Sequence, residues 1–520
     1  MFARFGFGLL LGCVLMLVSG AAKGTEATDS TDSISTAIDQ ILSESWQRDG
    51  IAAAPTSSDA EFHRRVWFDL VGVAPPVWQV RQFLTDDDPQ KRDKLVDHLL
   101  ASPEHAAHMA SRWTETILPA DSLTDPIQNA NVASLSQWLR LQFLDNVPYD
   151  HLVGRFLTAG GAGDTGPAIF YTSHSLQPEK LAAATSRIFL GIQIQCAQCH
   201  DHPFDRWTQQ DFWSYAAFFS QLQSSESGMN RTPILEDRPG GEVTLPDTDT
   251  IVLPRYPGAT SPPERDPGDH RRRQLTIWLA SRDNPYFARA AVNRVWADLF
   301  GRGLVDPVDA MDAANTPSHP RILDLLADQF TTHKFDLRWL YAQLAKTDAY
   351  GLSSKVDEGE RPPDDSFAAM QVKTLSGVQF YDSLQRNVFH RNDASPADQF
   401  NAASAAKAQF LARMRAPGAS PRDYPHGLVQ VLALLNGTET AMATNPIHSG
   451  LLSGIEAPFF DQDTIIETLF LATLSRPPSD DEAIRFADHL ATAESQSTRR
   501  EAISDLLWVL INTAECAVCP

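Results

Sequence analysis

The residues best suited to chemistry lie in one short segment, Cys196-Ala197-Gln198-Cys199-His200. In a Cys-x-x-Cys-His segment, two thiols can bond to the two vinyl groups on one edge of a haem while the adjacent imidazole ligates the iron. Cys196, Cys199 and His200 supply all three groups. The spacing therefore predicts a covalently attached haem c, with His200 as an axial ligand of the iron.

The same residues suit two other kinds of site, and the sequence leaves all three open. The first is a zinc site, whose ligands would be Cys196, Cys199, His200 and His202. Cys516 and Cys519 could join it, but the two cysteine pairs are much farther apart than in familiar zinc modules. In the other alternative each pair forms a structural or redox-active disulfide, although no thioredoxin-like βαβ pattern surrounds either pair.

A haem iron also needs a second axial ligand or a defined open position. His202 is too close to His200 in sequence to reach the opposite face easily. The other side chains that could coordinate iron there are His63, His105, His108, Met109 and His174. Each of these is also an ordinary packing or surface residue. The sequence therefore leaves the sixth position unassigned.

Two adjacent arginines, Arg64 and Arg65, could bind haem propionates, since a guanidinium group binds a carboxylate through two hydrogen bonds. Adjacent residues on a helix point in different directions, so at most one of the two would serve. The more ordinary interpretation is that an arginine here pairs with Asp69 or another acid at a helix surface.

The N-terminus has the organisation of a secretory signal. Arg4 precedes an apolar stretch over residues 5–18, and small residues follow at 19–22. We therefore expect a signal peptide over residues 1–22, cleaved near Ala21 or Ala22, and a periplasmic or extracellular protein. The apolar stretch is shorter than the roughly 20 residues that cross a bilayer. Contact with the membrane is expected only through this segment, if it stays uncleaved.

Composition limits the possible partners. The 520 residues include 43 Lys and Arg against 65 Asp and Glu, a net charge of −22, so a polyanion is repelled on average and no nucleic acid is expected as a partner. A hydrophobic fraction of 43% is typical of folded proteins. Beyond Cys13, the four remaining cysteines form two Cys-x-x-Cys pairs, and in an oxidising compartment Cys516 and Cys519 are a candidate disulfide.

Helices must position most of these residues, because apolar residues recur at spacings of three and four along the chain. Thr208 and Asp211 form a capping-box pattern that predicts a helix start, and Asn284-Pro285 opens a helix that ends at Gly301. Residues 318–329 and 463–474 are further helical candidates.

Several aromatic residues lie near the helix start predicted at Thr208. They are Phe204, Trp207, Phe212, Trp213, Tyr215, Phe218 and Phe219. They could wall a haem, but their spacing is more typical of a packed helix face.

Residues 224–269 interrupt the helical spacing of apolar residues, because this segment is rich in Pro, Gly, Asp and Thr. Short β-branched runs at 242–245 and 250–253 predict a hairpin within this connector. The predicted fold is therefore mainly α, with an N-terminal helical domain over 35–223 and a C-terminal helical domain over 270–520.

Several motifs resemble those of known domains. The N-terminal half resembles the planctomycete cytochrome-C-like secreted domain of unknown function in residues 62–72, 83–84, 91–92 and 189–191, in the CAQCH run and in 201–205. Residues 284–290, 292–296, 300–305 and 317–320 resemble the planctomycete domain usually found after it. The resemblance implies an exported protein with haem c attached at Cys196, Cys199 and His200, but it transfers no reaction. The ending Cys516-Ala517-Val518-Cys519-Pro520 departs from what we expect of relatives.

The leading functional hypothesis is an exported c-type haem-binding protein that takes part in electron transfer or another redox step, with an exported redox partner or substrate. The alternative is a non-haem exported scaffold or binding protein that contains structural disulfides or a zinc site. A third hypothesis, an enzyme acting on an extracellular polymer, rests only on chain length and export.

Overall fold

The computed structural model describes residues 31–124, 129–160, 165–227, 232–264, 270–356, 360–389, 407–414, 435 and 437–520. The predicted signal peptide, residues 1–22, lies outside the described residues. Over the described ranges the chain is mainly helical, as the sequence predicts. Within the same ranges, no helix has the length and apolar character needed to span a bilayer.

The part of the chain before the connector is built from short and medium helices. They are α1 (Thr31–Asp49), α2 (Asp59–Leu70), α3 (Val77–Thr85), α4 (Lys91–Leu100), α5 (Pro103–Ile117), α6 (Ala120–Thr124), α7 (Asn129–Leu144), α8 (Tyr149–Leu157), α9 (Thr165–Ser173), α10 (Pro178–Thr185) and α11 (Gln209–Ala216). A π-helical turn follows α10 at Ser186–Leu190, and 3₁₀ turns lie at Gln195–Gln198 and Ala217–Phe219.

After the connector the chain is again helical. The helices are α12 (Arg271–Leu279), α13 (Phe287–Phe300), α14 (Pro320–Thr332), α15 (Leu337–Ala345), α16 (Gly377–Asn387), α17 (Thr438–Ala443), α18 (Gly450–Ile455), α19 (Gln462–Leu474), α20 (Asp480–Ala491) and α21 (Gln496–Ile511). Two more 3₁₀ turns lie at Asp364–Ser366 and Glu515–Ala517.

Short antiparallel strand pairs complete the described structure. The strands are β1 (Leu222–Ser227), β2 (Thr232–Asp237), β3 (Val243–Thr244), β4 (Ile251–Val252), β5 (Lys373–Thr374) and β6 (Val518–Cys519). Strand β3 pairs with β4, with Val243 opposite Val252, so the hairpin predicted within the connector is confirmed. The connector also contains most of the β1–β2 pair, which the sequence did not indicate.

Helix boundaries follow their local signals. Thr208 caps α11 and forms a complete capping box with Asp211. The side chain of Asn284 accepts hydrogen bonds from the amides of Tyr286 and Phe287 at the start of α13. At the other end of α13, Gly301 adopts a left-handed conformation with φ of 82°, which favours glycine. These predictions are confirmed because each depends on residues within one turn of the boundary.

Buried hydrophobic residues form two large clusters among the described residues. The first takes residues from Ile34 to Met370, on both sides of the connector, and the second takes residues from Phe380 to Cys516. A small third cluster, which includes Phe68 and Cys519, lies where α2 meets β6. The limits of the predicted domains, 35–223 and 270–520, stay predictions.

Arg64 of α2 is buried and donates its hydrogen bonds to backbone carbonyl groups near the C-terminus. Its Nη1 bonds to the carbonyl of Thr473 at 3.0 Å, and its Nη2 bonds to the carbonyls of Cys516 at 3.2 Å and Val518 at 3.1 Å. Thr473 lies in the last turn of α19, where carbonyl groups have no intrahelical partner and attract cations. Arg64 therefore caps α19 and holds the end of the chain.

Arg65 is also fully buried. It donates to the carbonyls of Tyr350 at 2.6 Å, Leu352 at 2.9 Å and Pro520 at 2.7 Å, and it forms an ion pair with Glu61 at 2.8 Å. An arginine therefore pairs with an acid of the same helix, as the sequence predicts, but the acid is Glu61 rather than Asp69 and the pair is buried rather than at the helix surface. Both guanidinium groups are buried in the protein interior, where they donate hydrogen bonds to carbonyl groups that water cannot reach.

We predict that Arg65→Met lowers the free energy of unfolding by about 3–5 kcal/mol, because it removes one partner of a buried ion pair and leaves carbonyl groups unsatisfied. Urea denaturation followed by circular dichroism measures the change. Arg273→Met on the exposed side of α12 is the matched control and is expected to change stability by less than about 0.5 kcal/mol. Equal stabilities for the two variants would contradict the buried role of Arg65.

Candidate functional site

The Cys-x-x-Cys-His segment lies on the surface, immediately before α11. Cys196 is in the 3₁₀ turn and Cys199 follows it, and both side chains are exposed free thiols. Between them Ala197 is fully buried in the first hydrophobic cluster. The backbone of the turn is thus attached to the core, while both sulfur atoms face outwards.

Polar contacts with α11 hold the segment in place. The carbonyl of Gln198 accepts hydrogen bonds from Trp213 Nε1 at 3.0 Å and from Gln209 Nε2 at 3.2 Å. Gln209 Nε2 also donates to the carbonyl of Cys199 at 3.1 Å, and its backbone amide donates to Asp201 Oδ1 at 2.8 Å. The segment is therefore a hydrogen-bonded turn with a defined backbone.

His200 is exposed, and its ring orientation is set by its own neighbour. Nδ1 lies 2.8 Å from the backbone carbonyl oxygen of Asp201. A carbonyl oxygen only accepts hydrogen bonds, so the proton of the neutral ring is on Nδ1 and the lone pair is on Nε2. This is the arrangement of a histidine that binds a metal through Nε2 and is oriented by a hydrogen bond from its other nitrogen.

The donor set fits covalent haem attachment at the surface. Two accessible thiols and an imidazole with a free Nε2 are the groups that haem c requires. Most of the nearby aromatics do not wall this position, because they belong to the first hydrophobic cluster; these are Trp207, Phe212, Tyr215, Phe218 and Phe219. Their interpretation as a packed helix face is confirmed. Phe204 differs, since it is 85% exposed beside the motif.

Four of the candidate axial ligands for the sixth position make their described contacts with residues outside the Cys-x-x-Cys-His segment. His105 Nδ1 is 2.7 Å from the carbonyl of Leu70, and His174 Nδ1 is 2.7 Å from that of Phe170. The ring centroids of His63 and Phe83 are 4.7 Å apart, and Met109 is part of the first hydrophobic cluster. None of these contacts involves the Cys-x-x-Cys-His segment. The structure does not bring these four residues to His200.

The zinc alternative involves His202, whose Nδ1 accepts a hydrogen bond from the amide of Phe204 at 3.3 Å. Within the described ranges, no group of three or more His, Cys, Asp or Glu side chains is placed to hold a metal ion. Zinc binding by Cys196, Cys199, His200 and His202 stays a prediction.

Cys516 and Cys519 lie in a different part of the molecule from the motif. Both are buried free thiols in this structure, with Cys516 Sγ 3.9 Å from the carbonyl of Thr473 and Cys519 Sγ 4.0 Å from that of Arg65. Burial raises the pKa of Cys516 to about 11 and that of Cys519 to about 12. The thiols are therefore protonated at neutral pH and poorly reactive. Their pairing as a disulfide stays a prediction.

A second feature, which the sequence reasoning missed, is a cleft of about 1550 Å³ between α5, α13 and α16. From α5 it takes a polar stripe that includes Glu104, His108, Arg112 and Glu115. Their spacing of four, four and three residues places them on one face of the helix. That signal was readable in the sequence, but a polar helix face normally indicates contact with solvent rather than a cleft.

Hydrogen-bonded ion pairs form the wall of this cleft. Lys373 Nζ lies 2.6 Å from both carboxylate oxygens of Asp69, and Tyr350 donates a hydrogen bond to the same carboxylate at 2.7 Å. In the same wall, Arg112 donates to Asp298, which also accepts a hydrogen bond from Tyr341 at 3.0 Å. The cleft is separate from Cys196, Cys199 and His200, which do not line it.

Comparison with known families gives two matches, in the order that the motifs predict. Residues 37–224 match PSCyt2, a protein of unknown function (DUF1549), and residues 271–387 match PSD1, a protein of unknown function (DUF1553). No curated protein and no solved structure matches the chain. Helix α5 and the Cys-x-x-Cys-His segment fall in the first match, and α13 and α16 fall in the second.

We predict that His63 makes the fold sensitive to acid. Burial lowers its pKa from 6.5 to about 3. The unfolded chain therefore binds a proton at His63 more readily than the folded chain, and folding stability falls as the pH falls from about 6.5 towards 3. The dependence from one such group is about 1.4 kcal/mol per pH unit.

Urea denaturation at pH 7, 6, 5 and 4 measures this effect. His63→Leu is expected to show a smaller loss of stability on acidification than the unmodified protein. His98→Leu, on the exposed side of α4, is the matched control and should keep the original pH dependence. An unchanged slope in His63→Leu would show that His63 is not a source of the acid sensitivity.

Proposed function

Because the chain belongs to the proteins that carry a PSCyt2 domain followed by a PSD1 domain, both of unknown function, we propose that it is an exported protein that binds haem c covalently and takes part in electron transfer or another redox step. The resemblance of the first domain to cytochrome-C-like secreted domains supports this proposal. The apolar N-terminal segment supports export.

The observation that carries the proposal is the state of the Cys-x-x-Cys-His segment. Its two thiols are free and exposed, and the hydrogen bond between His200 and the carbonyl of Asp201 leaves Nε2 as the available nitrogen. A buried or paired set of these groups would not be ready for attachment. Here the backbone is held by Gln209 and Trp213, while the reactive side chains remain accessible.

Each residue has a defined role in this proposal. Cys196 and Cys199 would hold the haem through two thioether bonds, each formed by addition of a thiol to a vinyl group, with the thiol proton going to the vinyl carbon. His200 would bind the iron through Nε2, and the bound group would supply one-electron chemistry. Asp201 orients the imidazole through its carbonyl, and Gln209 keeps the turn attached to α11.

The surface position of the segment favours exchange of electrons with another molecule. A group attached at Cys196 and Cys199 lies at the protein surface, beside the exposed ring of Phe204. An exported redox protein or a small redox substrate can therefore approach it directly. The apolar face of Phe204 offers a contact for the macrocycle or for the partner.

We predict one covalently attached haem per chain. The full chain, exported by its own N-terminal segment in a host with cytochrome c maturation proteins, should stain for haem on a denaturing gel and give a pyridine haemochrome spectrum. Cys196→Ser combined with Cys199→Ser should abolish both signals. Cys516→Ala combined with Cys519→Ala is the control and should keep them, since that pair lies elsewhere.

Well-folded exported protein without covalent haem would overturn the proposal and favour the non-haem alternatives. Thiol counting and metal analysis then separate them. Four thiols that react only after reduction, without metal, indicate disulfides at both Cys-x-x-Cys pairs. One equivalent of zinc indicates the metal site that includes His202.

Export gives a separate prediction. Mass spectrometry of the exported protein should find a mature chain that begins just after Ala21 or Ala22, because small residues there suit the signal peptidase. A chain that stays in the cytoplasm with its N-terminus intact would contradict the prediction.

A further inference from the structure

We infer that Arg206 and Tyr286 together bind a propionate carboxylate of the attached haem. This inference rests on the proposed function, and it names residues that position a haem held by Cys196, Cys199 and His200. Three observations support it: the loop that carries Arg206 returns to the Cys-x-x-Cys-His segment, the guanidinium group is held in place without a carboxylate partner, and a second hydrogen-bond donor lies beside it.

A residue that binds a propionate of a surface-attached haem has to lie on the same surface as the Cys-x-x-Cys-His segment. Arg64 and Arg65, which the sequence suggests for this role, are buried and donate to backbone carbonyl groups. Arg206, in contrast, is exposed and follows His200 closely in the chain. Haem carries its propionates on an edge away from its vinyl groups, so the residue that binds them lies apart from the cysteines.

The loop that carries Arg206 returns to the Cys-x-x-Cys-His segment. The backbone amide of His202 donates a hydrogen bond to the carbonyl of Trp207 at 2.7 Å. Shortly after this closure, Gln209 Nε2 donates to the carbonyl of Cys199 at 3.1 Å. Arg206 therefore belongs to a short closed loop that is tied to the backbone of the segment.

The guanidinium group of Arg206 has a defined position. Its Cζ lies 4.9 Å from the ring centroid of the buried Trp207, and its Nη2 donates a hydrogen bond to the hydroxyl oxygen of Tyr286 at 2.5 Å. The backbone of the connector lies beside both groups, since a Cβ at Gly258 would be 3.5 Å from Tyr286 Oη and 3.8 Å from Arg206 Nη2. The positive charge is thus held at one place on the surface.

Arg206 forms no ion pair within the described part of the chain, although acidic residues are near it in sequence. Asp205 accepts a hydrogen bond from the backbone amide of Arg206 at 2.7 Å. Asp211 pairs with Arg255 at 2.7 Å. These carboxylates are therefore engaged with other donors, and the guanidinium group keeps donors for a carboxylate that comes from outside the chain.

Tyr286 adds a second donor to the same site. A guanidinium group has no lone pair, so the hydroxyl oxygen of Tyr286 accepts from Arg206 and its own proton remains for another acceptor. Burial raises the pKa of Tyr286, which keeps this proton in place at neutral pH. Tyr286 also lies at the N-terminal end of α13, where the helix dipole favours a negative charge. The two oxygens of one carboxylate can accept from both groups.

The test uses the full chain with covalently attached haem and measures its reduction potential from pH 4 to pH 9. The potential falls where a propionate loses its proton, so the profile reports the pKa of the propionate. A guanidinium group beside a carboxylate lowers the carboxylate pKa by roughly 1–3 units, and an exposed site belongs at the lower end of this range. We expect Arg206→Met to raise the propionate pKa by about one unit. Asp201 and His202, which follow His200, titrate equally in every variant.

Further variants assign the site. Arg206→Lys keeps the positive charge and should restore part of the lowered propionate pKa. Tyr286→Phe keeps the ring but removes the hydroxyl donor, so it should raise the propionate pKa by a smaller amount than Arg206→Met. Arg273→Met removes one exposed positive charge from α12 and is the matched control. It should give the propionate pKa of the unmodified protein.

The outcomes separate this inference from the proposed function. Unmodified protein without a pyridine haemochrome signal overturns the proposed function, and this inference with it. Normal haem attachment with the same propionate pKa in Arg206→Met, Tyr286→Phe and Arg273→Met overturns only the inference. Circular dichroism checks the folding of each variant, and if Arg206→Met does not fold, Tyr286→Phe decides the question alone.

Discussion

Two buried arginines on α2 determine how distant parts of the chain come together. A guanidinium group stays charged when buried, so every donor has to find an acceptor. Arg64 finds backbone carbonyls at the end of α19 and in residues 515–518, while Arg65 reaches Tyr350, Leu352 and Pro520. The geometry of this one helix therefore fixes the position of the C-terminal end, which completes β6 and its pairing with β5.

The same helix also shapes the cleft. Asp69 lies one turn after Arg65, and its carboxylate is held by Lys373, the β5 residue opposite Cys519, and by Tyr350. The contacts that bury the arginines thus place one wall of the cleft as well. A substitution at Arg65 is expected to affect the contacts of Asp69, because both residues form hydrogen bonds with Tyr350.

The Cys-x-x-Cys-His segment depends on a different principle. Only Ala197 enters the core, and Gln209 and Trp213 hold the backbone through its carbonyl groups. The chemistry-bearing side chains are therefore outside the packed interior, where a large group can be attached without displacing core residues. The cleft, in contrast, is an open groove lined by helices from both matched domains.

The sequence by itself determined what depends on neighbouring residues: the mainly helical class, the capping box at Thr208, the start and end of α13, and the β3–β4 hairpin. It also predicts Cys196, Cys199 and His200 as an attachment site, since the predicted chemistry follows from their spacing. Only the tertiary structure decided that Arg64 and Arg65 are buried and that the polar stripe of α5 faces a cleft. The backbone carbonyl groups that accept hydrogen bonds from the two arginines lie hundreds of residues away. The sequence around a polar residue does not indicate whether its side chain contacts solvent or a distant partner.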